Sequence, residues 1–326
     1  MFKKASEIHN ISKGYYIAES MLVYQSGREV FQYDLASGKE MLRSSVEDDF
    51  QSLIKKEDLT IGISNTGYAF FDSRFLTKKA ISIENGIGDY GLYNSNLIVV
   101  TTDYDYSLFL PKQGVQDVFL DKVIWETNAG ETIKVESNMA FTVSLKGISR
   151  RDIVQGEVKW SLEMNNGNLL PELIGVSNGL VIFAFQENSK LIALDIETGA
   201  IKWEIKTLTK GLCIDKKKGL LNQMMVNYTA YDLLTGELKV NYQDSSYFES
   251  ICIESQRSNY VLYGDYLITT DWKNGVVGAF NTLTHKFDWV HEEEGVSFPS
   301  PVPLSYTSPY LLIHDNKGTL HIFERE

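Results

Sequence analysis

The sequence predicts an all-β fold: an eight-bladed β-propeller of four-stranded antiparallel blades, with seven blades as the alternative count. Three observations lead there. A short phrase recurs along the chain, two strand-like runs precede its copies, and the repeat length is about 40 residues, that of one blade.

The phrase is clearest in "LIALDIETGAIKWEI", Leu191 to Ile205, which reads Ala-x-Asp-x-x-Thr-Gly-x-x-x-Trp through Ala193, Asp195, Thr198, Gly199 and Trp203. "TAYDLLTGELKV" repeats it with Asp232, Thr235 and Gly236, and Val240 replaces the tryptophan. "RRDIVQGEVKW" keeps Asp152, Gly156 and Trp160. "FQYDLASGKEML" keeps Asp34 and Gly38 and ends on Leu42, and "YAFFDSRF" offers only Asp72. "GAFNTLTHKFDW" supplies Asn281, Thr284 and Trp289, with His285 where glycine is expected, and "TLHIFERE" puts Glu324 at the aspartate position. Residues before the aspartate alternate as a strand does, and another strand begins after the glycine. Aspartate can accept N–H bonds from the turn it opens, while glycine takes the φ > 0 position that other residues resist. A tryptophan at a fixed place on the following strand can fill the gap against a neighbouring sheet.

Upstream of Asp195 lie "ELIGV" and "LVIFAF", split by "SNG"; upstream of Asn281 lie "YVLYG" and "LITTD". Aspartate-equivalent positions fall at 34, 72, 152, 195, 232, 281 and 324, and the gap between 72 and 152 has room for one more blade. Its register stays open among Leu110, Asp117 (with Trp125 eight residues on) and Glu126. "KKASEIH" near the N-terminus is expected to supply the strand missing after Glu324 and so close the ring. With few prolines and no long Ser/Gly or charge run, residues 1–326 read as a single propeller domain.

The phrase at 193–203 and its partial copies resemble the tryptophan-docking repeat of PQQ-like β-propellers, a superfamily that includes quinoprotein alcohol dehydrogenases and the propeller lipoprotein of bacterial outer-membrane assembly. The match is strong over 148–240, fair at 30–42 and 275–289, and weak at 60–130. The resemblance specifies a fold and leaves function open. In the quinoprotein enzymes it implies a tryptophan floor, a disulfide between adjacent cysteines and a calcium site. Cys213 and Cys252 are too far apart in the chain for that disulfide, so PQQ is not expected, and no other cofactor is.

Net charge is −12 and the sequence lacks the basic balance a phosphate backbone requires, so nucleic acid is not an expected partner. The start has no apolar run of a signal peptide, and no stretch is long and apolar enough to span a membrane. Two cysteines without metal-ligand spacing suit a reducing compartment, and the expectation is a cytoplasmic, bacterial protein.

No motif names a reaction, and no catalytic or metal-ligating set is assigned. "GIGDYG", Gly86 to Gly91, spells a dinucleotide fingerprint but precedes "LYNSNLIVVTT", which has no helical period; it reads as a loop between blades. His314 and His321 flank the turn "DNKG" without a third ligand in view.

Blade connectivity sorts the loops by face. Links between blades share a face with the turns joining second and third strands, and that face collects acid and aromatics. It holds Glu47, Asp48 and Asp49; Asp103, Tyr104 and Asp105; Asp271 and Trp272; and Glu292, Glu293 and Glu294. Glu126 and Glu131 join them, while Lys55, Lys56, Lys216, Lys217 and Lys218 fall on the opposite face. The expected role is therefore non-enzymatic protein–protein interaction, as a scaffold or a neutralising, immunity-type protein for a basic partner. The alternative is an enzyme, or a binder of a small ligand or metal, with its site in the central channel. The segment Asn241 to Asn259 departs longest from the repeat and is a second candidate surface.

Overall fold

A computed structural model describes residues 2–11, 15–18, 20–46, 50, 52–56, 59–64, 67–71, 77–82, 86–93, 96–105, 110–117, 122–128, 130–136, 138–164, 167–225, 227–251, 253, 260–271, 273–299 and 304–326. Among these residues the chain is all-β apart from one short helix, Ser245–Ile251. The strands pair into eight four-stranded antiparallel sheets, numbered in chain order. Sheets 1 to 7 use four consecutive strands each and span 15–45, 52–82, 86–126, 132–163, 172–206, 212–242 and 261–292. Sheet 8 takes three strands from 304–325 and its fourth, Phe2–Ile8, from the other end of the chain, where Phe2 lies opposite Arg325 and Ile8 opposite Leu320.

Burial along the strands explains their composition. The second strand of sheet 5, Leu180–Phe185, is buried at every position because sheets cover both of its faces, and it reads as an unbroken apolar run. The fourth strands Val158–Glu163 and Ile201–Lys206 bury only one residue each, and in both it is the tryptophan. Apolar clusters join consecutive sheets. Phe141 packs with Phe183 across sheets 4 and 5, Ile182 with Leu221 across 5 and 6, and Tyr228 with Phe280 across 6 and 7. Ile268 meets Leu311 across 7 and 8, Leu312 meets Leu22 across 8 and 1, and Val30 meets Phe71 across 1 and 2. Val100 meets Ile133 across 3 and 4, and a hydrogen bond of 3.4 Å from Gln116 to the Tyr68 hydroxyl links sheets 2 and 3.

One open choice is settled and two sequence expectations are corrected. The stretch 86–126 forms one complete sheet whose third strand ends at Asp117, so Asp117 is the aspartate-equivalent position; Leu110 opens that strand and Glu126 closes the next. "GIGDYG" is not a loop but lies in the strand Gly86–Tyr93, and the element that follows is another strand, not a phosphate-binding helix. Asp103, Tyr104 and Asp105, grouped by sequence with the turns between second and third strands, lie in the strand Asn96–Asp105, which pairs Asp103 with Lys112 and Asp105 with Leu110. A smaller adjustment concerns sheet 1, where the ladder sets Met41, not Leu42, opposite Gln32.

The helix explains part of the 241–259 departure. Asp244 Oδ1 accepts the Tyr247 N–H at 3.1 Å and so caps its start. Phe248 is then carried into the core shared by sheets 6 and 7, 5.7 Å from the Phe280 ring. The described part of this stretch is a plug.

Candidate functional site

The repeated phrase builds the same local device in successive sheets. Asp195 Oδ1 accepts N–H bonds from Glu197 at 3.1 Å and Thr198 at 2.9 Å, and the Thr198 hydroxyl at 3.0 Å. Asp232 repeats this with Leu234 and Thr235, and Asp152 with Val154 and Gln155. Asp34 holds Ala36 and the Ser37 hydroxyl, while Asn281 holds Leu283 and Thr284. The N–H of Thr198, helped by Lys202 and the Thr198 hydroxyl, draws the Asp195 carboxyl down to about 2. Asp72 lies outside the described residues.

The turns led by Asp152, Asp195 and Asp232 each receive an indole from the sheet before. Trp160 Nε1–H donates to the Ile196 carbonyl at 2.8 Å, Trp203 to Leu233 at 2.9 Å and Trp125 to Ile153 at 2.9 Å. The glycine of the receiving turn is forced twice over. Gly199 has φ +72°, and a Cβ there would stand 2.7 Å from the Trp160 ring; Gly156 and Gly236 are in the same position beneath Trp125 and Trp203.

The seams on either side of sheets 7 and 8 depart from this pattern. Sheet 6 carries Val240 in place of tryptophan, and the facing turn of sheet 7 carries His285 at φ +57°, whose ring fills the space against Tyr242 at 5.0 Å and Tyr228 at 5.7 Å. Trp289 of sheet 7 meets no such turn, because the fourth strand of sheet 8 is Phe2–Ile8; it packs on Phe2 at 5.3 Å and Phe323 at 5.7 Å instead. In sheet 8 the ladder sets Ser6 opposite Ile322, the indole's position elsewhere. A cavity of about 450 Å³ opens there, lined among others by Ala5, Ser6, Tyr33, Gly38 and Arg325.

The acidic loops are only partly brought together. Glu47, Asp48, Asp49 and Trp272 lie outside the described residues. Asp103, Tyr104 and Asp105 belong to a strand by their backbone, and their side chains lie outside the description. Asp271 is not a docking group. It is 2% exposed, and its Oδ1 accepts N–H bonds from Lys273 at 2.8 Å and Asn274 at 2.7 Å, so the carboxylate holds its own turn. Asp315 does the same for the corresponding turn of sheet 8, with Lys317 and Thr319. Glu292 and Glu294 are exposed at the end of the last strand of sheet 7. The opposite end is not purely basic: Lys216 lies 3.9 Å from Glu136 and Lys218 2.7 Å from Asp265.

Glu293 is half-buried and belongs to a network that the sequence does not announce. Its Oε2 accepts from Lys4 Nζ at 2.6 Å and lies 3.1 Å from His291 Nε2. Lys4 also donates to Glu7 on its own strand. His321 Nε2 is 3.0 Å from Asp315 Oδ2, and His321 Nδ1 is 3.5 Å from Glu7 Oε1. Burial pushes the Glu293 and Asp315 carboxyls up, yet hydrogen bonds from Lys4 and His291 to the first, and from Thr319, His321 and Lys317 to the second, leave both below the usual carboxylate range. Glu7 lies some 300 residues from Glu293 and His321 in sequence, so no spacing motif could have found the set. The one signal was His321 beside the "DNKG" turn. Cys213, by contrast, is a free thiol that burial, seconded by Asp215, pushes up to about 12, far from a reactive thiolate.

Sheets of this form, joined by an aspartate-led turn and an indole from the sheet before, define a PQQ-like β-propeller. The family described as outer membrane protein assembly factor BamB matches residues 114–212 and 144–292, together more than half of the chain, and the chain belongs to that family. Solved structures share the fold at low identity. BamB from Moraxella catarrhalis is 14% identical, with 100% of each chain covered and a TM-score of 0.69. A europium-containing methanol dehydrogenase is 9% identical over 99% of this chain and 93% of its own, with a TM-score of 0.70. The computationally designed Ika8 protein is 12% identical over 99% and 98%, at 0.71. No curated protein matches the chain by sequence. No helix among the described residues is long and apolar enough to cross a membrane.

Proposed function

We propose that the protein is a non-enzymatic interaction propeller whose eight sheets are the blades of one domain, closed by Phe2–Ile8, and that its acidic end docks a protein partner of basic character. The observation that carries this reading is the strand order. It puts the links between sheets and the turns between second and third strands at one end, where Glu292 and Glu294 are exposed. Acid so placed speeds encounter with a basic surface. Membership of a family described as an assembly factor for outer membrane proteins supports work on proteins over work on small substrates. In this reading the partner is a protein, not nucleic acid. PQQ is not bound, and the free, unreactive Cys213 suits the cytoplasm.

The test is capture with the purified chain from its native lysate, beside a Glu292→Lys/Glu294→Lys variant and a Lys216→Glu/Lys217→Glu variant of the opposite end. The expected result is a stoichiometric basic protein, lost with the first variant, kept with the second and weakened by added salt. Capture that is indifferent to the first variant, or abolished by the second, overturns the reading.

A further inference from the structure

The network between sheets 7 and 8 holds more negative charge than its lysine neutralises, and its buried histidine is arranged as a ligand. Glu7 and Glu293 share the single ammonium of Lys4, and a third carboxylate, Asp315, pairs with His321. Asp315 Oδ1 is occupied by two backbone N–H groups, and its Oδ2 lies 3.0 Å from His321 Nε2. A carboxylate accepts, so Nε2 carries a ring proton toward Asp315, and Nδ1 is the atom turned toward Glu7. His321 is 3% exposed, and Nδ1 is buried without a hydrogen-bond partner, 3.5 Å from Glu7 Oε1. What lies between Nδ1 and the Glu7 carboxylate must be a cation, either a proton on Nδ1 or a metal ion that both groups bind.

The spacing suits an ion. One ligand atom from each of Glu7, Glu293 and His321 falls within 4.8 Å of the others. Tetrahedral ligands at about 2.0–2.2 Å from zinc stand about 3.4 Å apart, close to the His321–Glu7 separation. A histidine whose second nitrogen is fixed by a carboxylate is the usual outer arrangement of a metal ligand.

We propose that His321 Nδ1, Glu7 and Glu293 form a binding site for one divalent transition-metal ion, with zinc the matching choice, and that Asp315 positions His321. One nitrogen and two carboxylates suit zinc's borderline preference and leave a fourth position for water. Lys4 is the built-in competitor: its ammonium bridges Glu7 and Glu293, and the ion takes its place. The site lies at the acidic end of the molecule and ties the strand Phe2–Ile8 to sheets 7 and 8, so occupation also braces that strand.

The experiment is calorimetric titration of the full, tag-free chain with zinc chloride, with cobalt(II) absorption reporting the ligand field. One saturable site per chain is expected. His321→Ala should abolish it, Asp315→Asn should weaken it about 10–100-fold, and Lys4→Met should tighten it. Glu294→Gln, outside the network, should leave it unchanged. The ¹⁵N resonances of His321 should show the Nε2–H form, shift on zinc addition, and lose that tautomer preference in Asp315→Asn. Melting curves check that each variant is folded; if His321→Ala is not, the gain in Lys4→Met and the ¹⁵N shift decide. Absence of saturable binding in both the wild type and Lys4→Met overturns the site. So does wild-type affinity in His321→Ala or in Lys4→Met, or a doubly protonated His321 that zinc does not move.

Discussion

The seams between sheets 3 and 6 and the seam between sheets 6 and 7 solve one packing problem in two ways. In the first group an indole lies on a bare glycine: Trp125 on Gly156, Trp160 on Gly199, Trp203 on Gly236. In the second, the donor strand offers only Val240, and the receiving turn offers His285 from the same left-handed backbone position. The ring has moved from one side of the seam to the other. The repeat is thus a lock shared by two sheets, and a substitution on either side is read correctly only with its partner in view.

The largest effect should separate the two solutions directly. Trp203→Ala removes a buried ring and its hydrogen bond to Leu233, and should cost about 3–5 kcal/mol in urea unfolding. Val240→Ala, at the matching position one sheet later, should cost about 1–2 kcal/mol. Equal losses would break the distinction. A double-mutant cycle sharpens it. Val240→Trp alone should destabilise because the indole meets His285, and His285→Gly alone should lose the contacts to Tyr228 and Tyr242. Together they recreate the other lock, and the coupling should favour the pair by about 0.5–3 kcal/mol. Additive behaviour would show that the two positions do not share the space.

What the sequence made legible follows from the same locality. Asp195, Gly199 and Trp203 sit within nine residues and act through one turn and one bulged strand pair, so their pattern shows in a single line of text. Trp125 was visible only as one option among several, because its aspartate partner Asp117 is not followed by the Thr-Gly signal. The Lys4, Glu293 and His321 network was out of reach. It exists only because Phe2–Ile8 pairs with Leu320–Arg325, and no local rule sets that register. Asp271 misled for the opposite reason: composition marks an acid in a turn as exposed, while the turn's own N–H groups demand that it be turned inward.

The smallest expected effect asks what the charge of the turn aspartate adds to its geometry. Sheet 7 makes the same turn with Asn281, whose Oδ1 accepts from Leu283 at 2.9 Å and Thr284 at 3.3 Å, so the carboxylate is dispensable for the shape. Asp195→Asn should therefore fold. In the wild type the Asp195 carboxyl is drawn down to about 2, first by the Thr198 N–H and then by Lys202. A folded-state value below the unfolded one stabilises the fold above the unfolded value, and that stability is lost as pH falls through the folded value. The difference in denaturation midpoint between wild type and Asp195→Asn should thus be full near neutral pH, shrink as pH falls from about 4 and vanish only below about pH 2. The Lys202 contribution, at 3.1 Å on an open surface, should fade with added salt, while the part owed to the N–H groups persists. A midpoint difference that stays constant across this range would mean that the turn draws nothing from the charge, and that Asp195 and Asn281 are equivalent in energy as well as in shape.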